Sequence, residues 1–381
     1  MTAAAAVARA LRPDLHGQVA YGAPQLDVPV RLNTNENSYA VPAPVAEAIV
    51  AAVAAEAAGL NRYPDREFTA LREDLSAYLR RQTGVELGPE RIWAGNGSNE
   101  VLQHVVQAFA GPGRRALGFT PAYSMHPIIS RTVGTTWIDG RREQRPGRFD
   151  LTAESAAAQV RRHRPHVVFL CSPNNPTGTA LTLEVVEAVL AAAPEAVVVV
   201  DEAYAEFARP GTPSALRVLA DHPLLVVTRT MSKAFALAGG RLGYLAAAPE
   251  VIDALRLVRM PYHLSSPTQA IARAALANDA SLLAEVEAIK AQRDRIVDTL
   301  ADLGYHPVPS DANFVLFGGL ADATATWQAL LERGVLVRDV GIAHHLRVTA
   351  GTPEETTAFL DALADLPAVH HDRPVPEGAR T

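Results

Sequence analysis

Lysine is almost missing from this chain. Only Lys233 and Lys290 are lysine among 35 Lys and Arg residues. Arginine stays protonated and cannot form an imine, whereas a lysine amine can lose its proton and attack a carbonyl. A chain so biased toward arginine keeps lysine where arginine cannot serve, or by chance. Cysteine is scarcer still: Cys171 stands alone, which excludes an internal disulfide and fits a reducing compartment, the cytoplasm. No apolar run reaches the ~18 residues needed to cross a bilayer. The Ala-rich start, Thr2 to Leu11, is short and interrupted by Arg9, unlike a secretory leader. There is no basic excess; the net charge of -6 argues against nucleic acid as the main partner. Neither GxGxxG nor a Walker A sequence occurs, so the dinucleotide and nucleoside-triphosphate readings lack their fingerprints. The twelve histidines are scattered, and the pairs His344-His345 and His370-His371 lack a third ligand at useful spacing.

What is present is a globular composition: 381 residues, 48% hydrophobic and 20% charged, ample for a large core. Short apolar, β-branched runs at 92–94, 115–119, 135–138, 167–170, 197–200, 224–228 and 242–246 read as strands. Those near 167, 197 and 225 are apolar at successive positions, as strands covered on both faces are. Helical patterns at 100–109, 153–162, 182–192 and 214–219 alternate with them, which predicts an open, mostly parallel α/β sheet. After about 268 a long helical region, 267–303, precedes strand-like runs at 313–317, 334–338 and 345–349, the pattern of a smaller α+β domain. The predicted organisation is an arm over 1–35, a large domain over 36–268, a small domain over 269–369 and a loose tail over 370–381.

Polar residues follow the predicted strands at the edge where open α/β sheets bind ligands. Gly95-Asn96-Gly97-Ser98-Asn99-Glu100 opens a helix, and N–H groups there favour an anion, although such turns are often plain caps. Ser172 to Gly178, with two prolines and a glycine, makes a tight loop. Asp201 directly follows four valines; at a core edge it needs a cationic partner or caps a helix. Thr230, Ser232, Lys233 and Arg241 then bring two hydroxyls, an amine and a guanidinium to one edge, a set suited to a phosphate plus a carbonyl. Lys290 instead lies on a polar helix face near Glu287 and Asp294, a solvated charge. One ligand satisfies the set: pyridoxal phosphate, with Lys233 for the imine and Asp201 for the pyridine nitrogen.

The same residues match a known pattern. It comprises Leu32 to Asn37, Arg62 to Asp65, Gly97 to Glu100, Pro121 to Met125, Pro173 to Gly178, Asp201 to Tyr204, Thr230 to Phe235, Arg241 to Tyr244, Ser310 to Phe314 and Leu346 to Thr349. The chain resembles the aminotransferases of the aspartate aminotransferase fold (fold type I of the pyridoxal-phosphate enzymes), most closely the histidinol-phosphate branch, from about Tyr21 to Gly351. Gly240, where many relatives have Leu, and Ala122, where Ser is common, depart from it. The resemblance implies a seven-stranded, mostly parallel sheet in a large domain and a smaller α+β C-terminal domain. It implies Lys233 as the covalent anchor and base, and Asp201 as partner of the pyridine nitrogen. Asn174 and Tyr204 would bond the phenolic oxygen, with Asn174 also facing the substrate, and Tyr123 would stack on the ring. Ser98, Asn99, Thr230, Ser232 and Arg241 would hold the phosphate, joined by Tyr63 from the neighbouring subunit of a homodimer. Arg347 and Arg338 would bind the substrate's anionic group, with Asn37 and Tyr21 near it; Arg338 could instead pair with Asp339 on the surface. The implied substrates are histidinol phosphate and 2-oxoglutarate or glutamate, with no membrane or nucleic-acid partner. Competing readings are an aromatic amino-acid aminotransferase, a decarboxylase on the same fold, and a transcription regulator. The last would need a basic helix-turn-helix segment that this sequence does not show.

Overall fold

A computed structural model describes residues 2–145 and 147–366. The predicted tail, 370–381, lies outside the described residues. All seven predicted strands of the large sheet form: β1 (Ile92–Gly95), β2 (Arg115–Thr120), β3 (Thr136–Arg141), β4 (Val167–Cys171), β5 (Val197–Asp201), β6 (Leu225–Thr230) and β7 (Gly243–Ala247). Their order across the sheet is β1-β7-β6-β5-β4-β2-β3. β4, β5 and β6 are buried at every position, the physical meaning of their uninterrupted apolar runs. Only β7 runs antiparallel. Its first residue, Gly243, pairs with both Gly95 and Thr230, so β7 begins at the edge where its neighbours end. Register then sets Cys171 beside Asp201 and Asp201 beside Thr228. One edge thus collects the ends of β1, β4, β5 and β6 and the start of β7.

Helices Ser98–Phe109, Ala153–His163 and Leu183–Ala192 follow the predicted patterns. The segment near 214–219 is instead a 3-10 run, Ala215–Asp221, with the Ser214 hydroxyl accepting from the Leu216 N–H. Two long helices, Ala43–Ala57 and Thr69–Thr83, escaped prediction. The first is Ala-rich and buries only Val45, so it carries little periodic signal.

The long helical region breaks at Asn278 into Ser266–Ala277 and Asp279–Asp302. The first piece packs back on the helices at 43–57 and 69–83, where Arg273 meets Asp74 at 2.7 Å. Asn278 thus separates a helix that packs on 43–57 and 69–83 from the longer helix that follows. The remaining unit is a four-stranded antiparallel sheet in the order His306–Pro307, Phe314–Gly318, Leu346–Thr349, Arg338–Asp339. Val30–Arg31 pairs in parallel with Val335–Leu336, and Leu32 is fully buried. The segment that follows, 33–36, crosses from the small unit to the edge of the large sheet.

Candidate active site

A cavity of two adjoining chambers lies at that edge, about 360 Å³ and 270 Å³. Lys233, Thr34, Tyr123, Asn175 and Tyr204 belong to both. Asp201 forms part of the larger one and is 2% exposed. Its Oδ2 lies 3.0 Å from His126 Nε2, and its Oδ1 accepts the Thr228 hydroxyl at 3.1 Å. A carboxylate at a core edge requires such partners. His126, from helix Met125–Thr132, is itself fixed by stacking on Phe169 at 4.6 Å. Capping falls to the next residue: Glu202 Oε1 accepts the Ala215 N–H at 2.7 Å.

The other end of this chamber is built for an anion. Ser98 and Asn99 open helix Ser98–Phe109, and Thr230, Ser232 and Arg241 line the same space. Backbone and guanidinium approach so closely that side chains are excluded. A Cβ at Gly243 would lie 2.0 Å from the Ser98 nitrogen. One at Gly97, where φ is +86°, would lie 2.5 Å from Arg241 Nη2. Glycine is the residue for both conditions. A helix N-terminus, hydroxyls and a guanidinium on one wall suit a phosphate.

Lys233 stands where the chambers meet. It is half-buried, and its Nζ donates to the Thr34 carbonyl at 3.1 Å. Burial, then the nearby Arg347 and Arg241 cations, push its pKa down to about 8, against an opposing pull from Glu36. Both causes disfavour the ammonium and leave more free amine near neutral pH. Lys290 is an ion pair with Glu287 at 2.8 Å on the helix Asp279–Asp302, remote from these contacts.

The second chamber is framed by arginine. Arg347, on Leu346–Thr349, is 7% exposed. It donates to Asn175 Oδ1 at 2.6 Å and to the Asn33 carbonyl at 2.8 Å, and lies 5.1 Å over the Phe314 ring. Its Nε is buried with no partner, and burial lowers its pKa to about 10. Arg338 and Tyr21 line the same chamber. Arg338 forms no ion pair with Asp339, whose Oδ1 accepts the Gly341 N–H at 2.8 Å.

Ser98, Asn99, Tyr123, Asp201, Tyr204, Thr230, Ser232, Lys233, Arg241, Arg347, Arg338 and Tyr21 are thus brought together. Asn174 is not. Its side chain is 0% exposed and donates to the Pro121 carbonyl at 3.0 Å and to Thr177 at 2.8 Å, inside the loop. Asn175, one residue on, takes the place: its Nδ2 lies 3.3 Å from the Tyr204 hydroxyl. Asn37 closes a local turn by accepting the Tyr39 N–H at 2.9 Å. Asn33, Asn35 and Glu36 supply the wall from that segment instead, with Asn35 Nδ2 donating to the Tyr204 hydroxyl at 3.0 Å. Tyr63 is 79% exposed and stacks on Tyr262 at 4.4 Å, on the outside of this chain. His126 and Thr228 were missed as site residues. Thr228 had a signal, since in parallel register it sits beside Asp201; for His126 no spacing pairs it with Asp201.

The residues fit pyridoxal phosphate. The larger chamber has a buried carboxylate at one end, an anion cradle at the other, and an amine of lowered pKa beside both. The orphaned Arg347 Nε shows a cation with unused donor capacity next to that amine.

Comparison with known proteins agrees. The family model "Aminotransferase class I and II" matches residues 28–363. The chain is 62% identical over 358 residues to a histidinol-phosphate aminotransferase of Paenarthrobacter aurescens, covering 93% of this chain and 94% of that protein. It is 58% identical to one from Thermobifida fusca, covering 93% and 94%. A crystal structure of histidinol-phosphate aminotransferase from Sinorhizobium meliloti, in complex with pyridoxal-5'-phosphate, superposes with a TM-score of 0.77 at 27% identity over 89% of this chain and 90% of that one. This chain is a member of the class I and II aminotransferases.

Proposed function

We propose that this chain is a pyridoxal-phosphate-dependent histidinol-phosphate aminotransferase of histidine biosynthesis. It exchanges an amino group between L-histidinol phosphate and 2-oxoglutarate, giving imidazole-acetol phosphate and L-glutamate. The observation that carries the reading is the position of Lys233 between an anion cradle and a chamber walled by Arg347 and Arg338. The 62% identity to a protein of that name supports the substrate.

Pyridoxal phosphate, when bound, supplies an electron sink for the substrate's Cα–H bond. The chain's residues supply the rest. Asp201, held from both sides by His126 and Thr228, keeps a proton at the pyridine nitrogen. Tyr204 and Asn175 meet the phenolic oxygen. Ser98, Asn99, Thr230, Ser232 and Arg241 would hold the cofactor phosphate, and Tyr123 would lie against the ring. Lys233 would hold the cofactor's carbonyl carbon, and its amine is placed to take and return the proton at the substrate's Cα as general base. A pKa near 8 keeps part of it unprotonated at neutral pH. Arg347 and Arg338 bind the anionic arm. A guanidinium fork fits phosphate and carboxylate alike, so one chamber serves both halves of a ping-pong cycle.

The proposal includes a cytoplasmic homodimer. Tyr63, Leu60, Leu257 and Met260 are all more than half exposed, which supports an interaction face where such side chains form one patch. Tyr63 would reach the phosphate site of the neighbouring subunit. Sedimentation of the purified protein checks this, with a dimer expected. For the substrate, histidinol phosphate and phenylalanine are each offered with 2-oxoglutarate while glutamate is followed. The expected result is a higher kcat/KM for histidinol phosphate; preference for phenylalanine would overturn the choice.

A further inference from the structure

The walls of the two chambers are dominated by donors, and only three carboxylates face them: Asp201, Asp339 and Glu36. Asp201 is committed to His126 and Thr228. Asp339 is committed to the Gly341 N–H and, at 3.4 Å, to the Thr324 hydroxyl. Glu36 is different. Its Oε2 accepts the Thr34 hydroxyl at 2.8 Å, and its Oε1 has no partner among the described residues. The side chain is exposed, so it is free to take a ligand. It lines the same chamber as Lys233. Two nearby amide acceptors are taken, Asn175 Oδ1 by Arg347 and Asn99 Oδ1 by the Tyr123 hydroxyl.

Histidinol phosphate carries two arms on the carbon that bears its amine, a phosphate arm and an imidazole arm. If Arg347 and Arg338 take the phosphate, the ring must leave along another bond. Its N–H then needs an acceptor, because a buried donor without one costs binding energy. We infer that Glu36 is the specificity residue that accepts the N–H of the substrate's imidazole, an inference that rests on the substrate reading above. A carboxylate suits this role in both ring forms: the neutral ring donates one hydrogen bond, and the protonated ring adds a charge. Phenylalanine, with no N–H, gains nothing from Glu36 and must still desolvate it, which is how a polar site rejects an apolar analogue. Glutamate, an anion itself, gains nothing from Glu36 either.

The test compares amine donors in single half-reactions of the holoenzyme, followed by the change in cofactor absorbance. Wild type, Glu36→Gln and Glu36→Asp are each mixed with L-histidinol phosphate, L-glutamate and L-phenylalanine. In Glu36→Gln the specificity constant for histidinol phosphate is expected to fall by about ten- to a hundredfold. The loss for histidinol phosphate should exceed any loss for glutamate or phenylalanine by at least about tenfold, because neither of these donates to the carboxylate. Glu36→Asp, which keeps the charge, should recover part of the loss for histidinol phosphate alone. An equal fall for all three donors would show that Glu36 merely positions Thr34 and Lys233, and would overturn the inference; so would no fall for histidinol phosphate. A wild-type preference for phenylalanine would instead remove the substrate reading, and the inference with it.

Discussion

The two chambers of the cavity are assembled differently. The larger is made mostly by the edge of one sheet. Asp201, Thr230, Ser232, Lys233 and Arg241 fall within one strand end, the next strand and the turns around it. Strand register aligns them, so each is fixed by a local motif and a ladder. The arginine chamber gathers Tyr21, Asn33, Asn175, Arg338 and Arg347 from distant parts of the chain. There Arg347 is pinned by bonds to Asn175 and to the Asn33 carbonyl, residues far from it in sequence. The first arrangement fixes chemistry that a whole family shares. The second can change one wall at a time, and the substrate's anionic arm is met there.

The largest expected effect breaks what the two chambers share. Lys233→Ala should lower transamination by about 10⁴-fold, the scale of losing a positioned base that is also the anchor. The absorbance band of the lysine-bound cofactor should vanish with it. Lys233→Arg should do no better, because a guanidinium keeps the charge but cannot bond the carbonyl. The next effect separates the chambers. Arg347→Ala should lower kcat/KM for histidinol phosphate and glutamate alike by about 10²–10³-fold, as removal of a buried charge partner does. Cofactor retention on gel filtration should change little. If the cofactor is lost as well, the chambers are one unit and the contrast fails.

A smaller effect sharpens the contrast within one loop. Asn175→Ala removes bonds to both Tyr204 and Arg347, and kcat/KM should fall by about tenfold, the worth of a charge-assisted hydrogen bond. Asn174→Ala should instead cost ~1–3 kcal/mol of stability, because its amide is buried inside the loop. Its kcat/KM should stay within about threefold. Thermal melts and steady-state rates on the two variants check the split.

The same contrast explains what could be read from the sequence. The seven strands were legible because their apolar runs are short, β-branched and separated by helical periods. Lys233 and Asp201 were legible because they terminate such runs. The Asn174–Asn175 pair was legible only as a pair. Which of two adjacent asparagines faces a cavity depends on how the loop packs on Thr177 and Pro121, and spacing carries no record of that. His126 was invisible for a similar reason: it meets Asp201 across 75 residues of sequence. Asn35, Glu36 and Asn37 are adjacent, and residue type alone does not say which of them faces the cavity. A positive φ of 56° at Asn35 turns the segment in a way the residue types alone do not fix. The helix Ala43–Ala57 escaped because alanine gives no face to count.

Two lysines make the central claim open to a direct check. The holoenzyme is treated with borohydride, digested and mapped by mass spectrometry for the reduced pyridoxyl adduct. The account requires one adduct per chain, on the peptide that contains Lys233. An adduct on Lys290, or none on Lys233, would contradict it.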